Sequence, residues 1–214
     1  MKRTAPPLAM LDKFNVNVDS TVQMIWQPLY DYQDYAAAGA QTFSFFQVPK
    51  GQQGKTLEDT NMTNAGVLPA PKEFLCIGME FFFHSGAGVT STGADIAATQ
   101  VADLNALVGR GHVQLFIGSK PQLDEVGIEQ FPCGCALDLD GAVADTSTAG
   151  AARLTQLSIA NYRGRPYRFE PLRIPANQNF EISLNFPNGQ IAMPSGEDAR
   201  IGVRLLGWQY RLAQ

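Results

Sequence analysis

Two segments near the C-terminus restrict the fold more than any other part of the chain. In NFEISLNF, Phe180, Ile182, Leu184 and Phe186 alternate with Glu181, Ser183 and Asn185. This is the period-two pattern of a half-buried strand, because successive side chains of an extended chain leave on opposite faces. In IGVRLLGWQYRLAQ, Ile201, Val203, Leu205, Gly207 and Gln209 share one parity, and Arg204, Leu206, Trp208 and Tyr210 share the other. Both of its faces are partly apolar, so this strand belongs inside a sheet. Pro187, Asn188, Gly189, Pro194, Ser195 and Gly196 lie between the segments. These turn formers let the chain reverse, and the expectation is that the two segments pair antiparallel. The C-terminal third is read as the centre of an all-β sandwich.

The remainder of the chain extends that reading. Residues 1–13 form a proline-containing arm without pattern, and residues 14–214 are taken as one domain. Phe14, Val16 and Val18 alternate with Asn15 and Asn17, predicting a first strand that joins a second at 21–29 through a hairpin over Asp19 and Ser20. Tyr30, Tyr32 and Tyr35 with Asp31 and Asp34 read as a polar aromatic loop, and TFSFFQVP at 42–49 as another strand. GQQGKTLEDTNMTNAG then has almost no apolar residue and reads as an exposed loop. Its Gly-Lys-Thr lacks the earlier glycine of a phosphate-binding loop, because Lys50 and Gly51 break the spacing.

EFLCIGMEFFFHSG at 73–86 is the longest apolar strand, with Leu75, Ile77, Met79, Phe81 and Phe83 on one parity. One helix is predicted at 95–108, from Ala97, Val101, Leu104 and Val108, with Asp95 or Thr92 as its cap and Gly109 as its stop. A strand at 112–118, a turn near Pro121, a short strand around Ile128 and a strand at 154–162 bring the count to about eight to ten. That number with one inserted helix fits a two-sheet jelly roll.

Composition narrows the function classes. Charged residues make up only 17% of the 214, and a surface so poor in charge is weakly protected against association, which suits a subunit packed against its own copies. The net charge of −4 argues against a general nucleic-acid surface, and no specific nucleic-acid binding is expected. Arg163, Arg165, Arg168 and Arg173 form one local basic run, read as a solvated face or a contact between subunits. Cys76, Cys133 and Cys135 are an odd number, and the C-G-C pair is too close for an unstrained bridge. Reduced thiols and intracellular assembly follow. No secretory signal and no membrane-spanning apolar run is legible.

Neither histidine, His84 or His112, has the other nearby, so no histidine-rich metal site is expected. LDLDGAVADT at 137–146 is similar to the first motif of the haloacid dehalogenase phosphatases, in which two aspartates flank one residue at a Mg²⁺ site. That resemblance would make Asp138 the nucleophile and Asp140 the acid. The family's threonine is Ala142 here, and no lysine follows Lys120. The favoured reading of 137–153 is therefore an acidic surface loop, with Asp138, Asp140 and Asp145 as an alternative cation set. No catalytic, cofactor-binding or metal residue is assigned, and the chain is not expected to be an enzyme.

A second resemblance covers the chain from His112 to its end. HVQLFIGSKPQLDEVGIEQFPCG, then RPYRFEPLRIPANQNFEISLNFPNG, then VRLLGWQYRLAQ resembles the jelly-roll capsid proteins of tailless icosahedral bacteriophages. The resemblance implies a shell subunit located in the virion and assembled in the host cytoplasm. Its partners would be copies of itself and other capsid proteins, often around an internal lipid vesicle. The competing class is a carbohydrate- or receptor-binding jelly roll with residues 30–35 as its binding face.

Overall fold

The computed structural model describes residues 22–86, 98–107, 109–131, 140–145, 154–159 and 166–212. The arm at 1–13, the strand at 14–18 with its hairpin, Cys133, Cys135, Asp138, Arg163 and Arg165 lie outside these residues. The described elements are β1 (Val22–Trp26), β2 (Leu29–Tyr35), β3 (Thr42–Phe45), β4 (Glu73–His84) and α1 (Ala98–Leu107), then β5 (His112–Ile117) and β6 (Lys120–Gly127). They continue with β7 (Asp140–Asp145), β8 (Leu154–Ile159), β9 (Tyr167–Ile174), β10 (Phe180–Asn185) and β11 (Ala199–Leu212).

Two antiparallel sheets form the sandwich. The first runs β1-β11-β4-β9, with β2 beside β1 on the same edge of β11, and the second runs β3-β10-β5-β6. With β1 and β2 counted as one edge, the eight sandwich strands in chain order stand 1-8-3-6 opposite 2-7-4-5. That order is a jelly roll. β7 and β8 form a separate antiparallel hairpin.

The core lies between the sheets. Ile201, Val203 and Leu205 of β11 bury with Phe180, Ile182 and Leu184 of β10, joined by Phe43, Phe45, Phe81, Val113 and Leu115. Both alternations at the C-terminus are as read, but the expected pairing is corrected. β10 pairs with β3 and β5, whereas β11 pairs with β1, β2 and β4. The apolar faces meet across the sandwich because each segment needs a covering layer more than it needs the other's edge. The connection after β10 crosses from one sheet to the other.

β4 carries a second correction. Phe74 and Cys76 enter the core from one parity, and Met79, Phe81 and Phe83 from the other, while Leu75 joins a separate cluster with Tyr210, Met24 and Trp208. Register with β11 slips at Ile77, which is absent from the pairing between Cys76 and Gly78. One extra residue reverses every side chain beyond it. Cys76 is a free thiol, and burial pushes its pKa up to about 12, so it packs as an apolar side chain.

Smaller differences have local causes. The strand expected at 21–29 splits at Gln27 and Pro28, where proline removes a donor. Residues 30–35 are the strand β2, not a loop. β5 turns at Gly118, whose φ of +63 suits glycine, so the strand β6 begins at Lys120 and Ile128 opens a 3-10 turn. Pro121 sits in β6, which among the described residues pairs only with β5 and so spares the N–H that proline lacks. The helix seats Leu104 and Leu107 in the core. Its buried Asp103 accepts hydrogen bonds from Ser85 Oγ (2.5 Å) and the Ser195 amide (2.8 Å).

Candidate functional site

The described residues converge at the open side of the sandwich, where β2 and β3 are edge strands of opposite sheets. Asp31 is the pivot. It lies on the inward parity of β2 and is fully buried, accepting from Lys55 Nζ at 2.7 Å and from the Phe46 amide at 2.8 Å. Burial raises its carboxyl above the usual range despite Lys55. Phe46 itself has φ +69, a costly conformation for a bulky residue, and its buried ring packs 5.3 Å from Phe180. One carboxylate thus fixes the end of β3 and draws the following loop onto β2.

That loop is tied down along its length. The Tyr32 amide donates to the Asp59 carbonyl (2.8 Å), and Asn61 Oδ1 accepts from the Tyr30 amide (3.1 Å). Tyr30 hydroxyl reaches the Leu57 carbonyl at 2.5 Å. Asp59 accepts from the Thr56 amide and from Arg200, which hold its carboxyl below the usual range. Residues 51–54 and 56–58 are exposed as expected, but Thr60 and Met62 are buried, so the loop is a clamped strap. Lys55 is committed to Asp31, which leaves no role for Gly-Lys-Thr in phosphate binding.

Strap, β2 and β3 enclose an open groove of about 620 Å³. Tyr32, Gln33, Asp34, Ser44, Gln47 and Gln53 are among the residues lining it. Gln33 donates to the Ser44 carbonyl (2.6 Å) and Gln47 to the Phe180 carbonyl (3.1 Å), so both amides are held in place.

Beside the groove, the outer face of the first sheet carries interleaved arginine and aromatic side chains. Arg200 lies 4.5 Å over the Tyr32 ring and Arg204 4.5 Å over Phe82, within the reach of cation–π attraction. Arg204 also approaches Glu80 at 3.6 Å, yet desolvation is the larger effect on Glu80 and raises its carboxyl. His84, at the end of the same strand, is pushed down by desolvation and by Arg200. Further along, Trp26 and Trp208 meet edge to face at 4.8 Å. The outer face of the second sheet is polar instead, with Ser183 registered against Ser44 and Gln114.

Among the described residues, those with candidate chemistry are not brought together. Asp140 and Asp145 occupy the two ends of β7, about 16 Å apart along a strand at 3.3 Å per residue, too far for one ion to hold both. Within the run 137–153 expected to be a surface loop, residues 140–145 are a strand paired to β8, an antiparallel context unlike that of the phosphatase motif, and the rest of the run lies outside the described residues. His84 ends β4 in one sheet and His112 begins β5 in the other. Among the described residues no cluster of three or more metal-ligating side chains occurs, and no helix is long and apolar enough to cross a membrane. Arg168 is exposed and Arg173 pairs with Glu73 at 2.9 Å. Residues 30–35, the binding face expected in the competing carbohydrate- or receptor-binding reading, form one wall of the groove; the other walls, from β3 and the strap, carry no sequence signal because they come from separated segments. No protein-family model matches the chain, and neither a curated protein nor a solved structure is significantly similar to it.

Proposed function

We propose that this protein is a capsid subunit that self-assembles into an icosahedral shell. The observation that carries the reading is the strand order 1-8-3-6 opposite 2-7-4-5, the jelly-roll plan shared by many shell proteins. Because fold alone does not determine function, the reading also draws on the capsid-like segments from His112 onward and on the low charge of the chain. In this role the packed core supplies rigidity. The loop at 50–72, the segment at 137–153 that contains β7, and the arm at 1–13 meet neighbouring copies and other capsid proteins, around an internal lipid vesicle where one is present.

Size-exclusion chromatography with light scattering, followed by negative-stain electron microscopy of the large fraction, tests this. Closed shells, or stable trimers and hexamers, are the expected result. A protein that stays monomeric at high concentration overturns it.

A further inference from the structure

We propose that the groove between β2, β3 and the strap at 50–59 binds a short neutral oligosaccharide. The argument rests on the chemistry of the lining, its charge balance and its rigidity.

The lining is rich in amides and hydroxyls. Gln33, Gln47 and Gln53 contribute carboxamides and Ser44 a hydroxyl, while the Thr42 hydroxyl, which donates to Asn185 Oδ1 at 3.2 Å, can only accept. Gln33 and Gln47 each spend one amide hydrogen on a backbone carbonyl and keep an oxygen and a second N–H uncommitted among the described residues. Such groups donate and accept, which matches sugar hydroxyls that do both. Val48 and the Tyr32 ring supply the apolar contact, which suits the C–H faces of a pyranose but offers little to an apolar peptide. The volume of about 620 Å³ falls within the range of small-ligand sites, roughly 300–1,000 Å³.

Charge selects against anions. Three ionisable side chains besides the tyrosine line the groove, and two are neutralised in place: Lys55 by Asp31 at 2.7 Å and Asp59 by Arg200 at 2.6 Å. Asp34 is exposed on β2 and makes no hydrogen bond or ion pair among the described residues. Its carboxylate is available to accept from a pair of sugar hydroxyls, and it repels a carboxylated or phosphorylated ligand.

The walls are preorganised. Gly51 donates to the Lys55 carbonyl (2.8 Å) and Lys55 to the Gln52 carbonyl (2.9 Å), closing a tight turn whose Gln53 takes φ +49 between Gly51 and Gly54, both also at positive φ. With Lys55 anchored on buried Asp31 and Asp59 anchored on Arg200, the strap is ordered before any ligand arrives. Little conformational entropy is then lost on binding.

The test is saturation-transfer difference NMR on the full chain with maltotriose, cellotriose, mannotriose and tri-N-acetylchitotriose, and with 3′-sialyllactose as the anionic probe. At least one neutral trisaccharide is expected to bind. Asp34→Ala is expected to weaken it about tenfold, as loss of a hydrogen bond to a charged group does, and Gln53→Ala to weaken it less. Both side chains are exposed, so the thermal midpoint of either variant should match the parent and separate lost binding from lost folding. Absence of binding by all four neutral sugars overturns the proposal, as does undiminished binding by Asp34→Ala or equal binding of sialyllactose. The readout does not depend on particle formation: shells that ignore sugars overturn this proposal alone, and a sugar-binding monomer overturns the capsid reading alone.

Discussion

Asp31 shows how one residue sets the shape of a surface from inside the core. Its carboxylate is withdrawn from water, and three elements converge on it: β2 supplies it, the end of β3 donates an amide, and the strap donates the Lys55 ammonium. Removing one partner of such a pair strands the other, so Asp31→Ala should cost about 3 kcal/mol, read as a fall in the midpoint of urea unfolding. The pH dependence of that cost separates two opposing effects. Burial raises the folded carboxyl above its ordinary 3.8, outweighing Lys55. Between the ordinary and the raised value the folded state holds the extra proton, so stability from this group rises as pH falls and is fully present only below 3.8. The gap between parent and Asp31→Ala should therefore widen on acidification through that window. A gap that narrows would mean that Lys55 outweighs burial and that the pair behaves as an ordinary salt bridge.

At the scale of elements, sheet spacing depends on two glycines of β11 that fail in different ways when filled. A Cβ on Gly207 would overlap the backbone carbonyl oxygen of Leu75, next to the β4 bulge, and only a separation of the strands relieves it. A Cβ on Gly202 would meet the Tyr32 ring, which can swing aside at the expense of its contact with Arg200. Gly207→Ala is expected to lose about 3 kcal/mol and Gly202→Ala about 1 kcal/mol, compared by chemical unfolding; the opposite order would place the rigid contact at Tyr32. This spacing also shows what the sequence discloses. Period-two alternation was legible in β10 and β11 because their inward positions are apolar. β2 was hidden because Asp31 and Gln33 occupy inward positions, and the partner that makes Asp31 tolerable, Lys55, lies 24 residues away. The bulge at Ile77 was hidden for the reverse reason: most residues around it are apolar, so neither parity stands out. Only the wall at 30–35 was legible in the sequence; the groove itself exists because β2, β3 and the strap lie side by side.

Across the whole molecule, the proposed assembly into a shell would be governed by the balance between self-repulsion and burial. Each copy carries a formal charge of −4 at pH 7, so copies brought together repel, and few charged residues are present to offset this with ion pairs. Contacts must then be dominated by apolar and uncharged polar surface, whose attraction salt does not screen. Raising ionic strength from 0.1 M to 1 M shortens the screening length from about 10 Å to about 3 Å and removes most of the repulsion. The fraction of protein in particles, measured by light scattering at fixed concentration, should therefore increase with sodium chloride. Lowering the pH toward the isoelectric point near 5.1 should have the same effect. Particles that dissolve as salt rises would indicate contacts built from intersubunit ion pairs. Arg200, Arg204 and Arg173, each already engaged with an acidic residue of its own chain, would then have to exchange those partners for residues of a neighbouring copy during assembly.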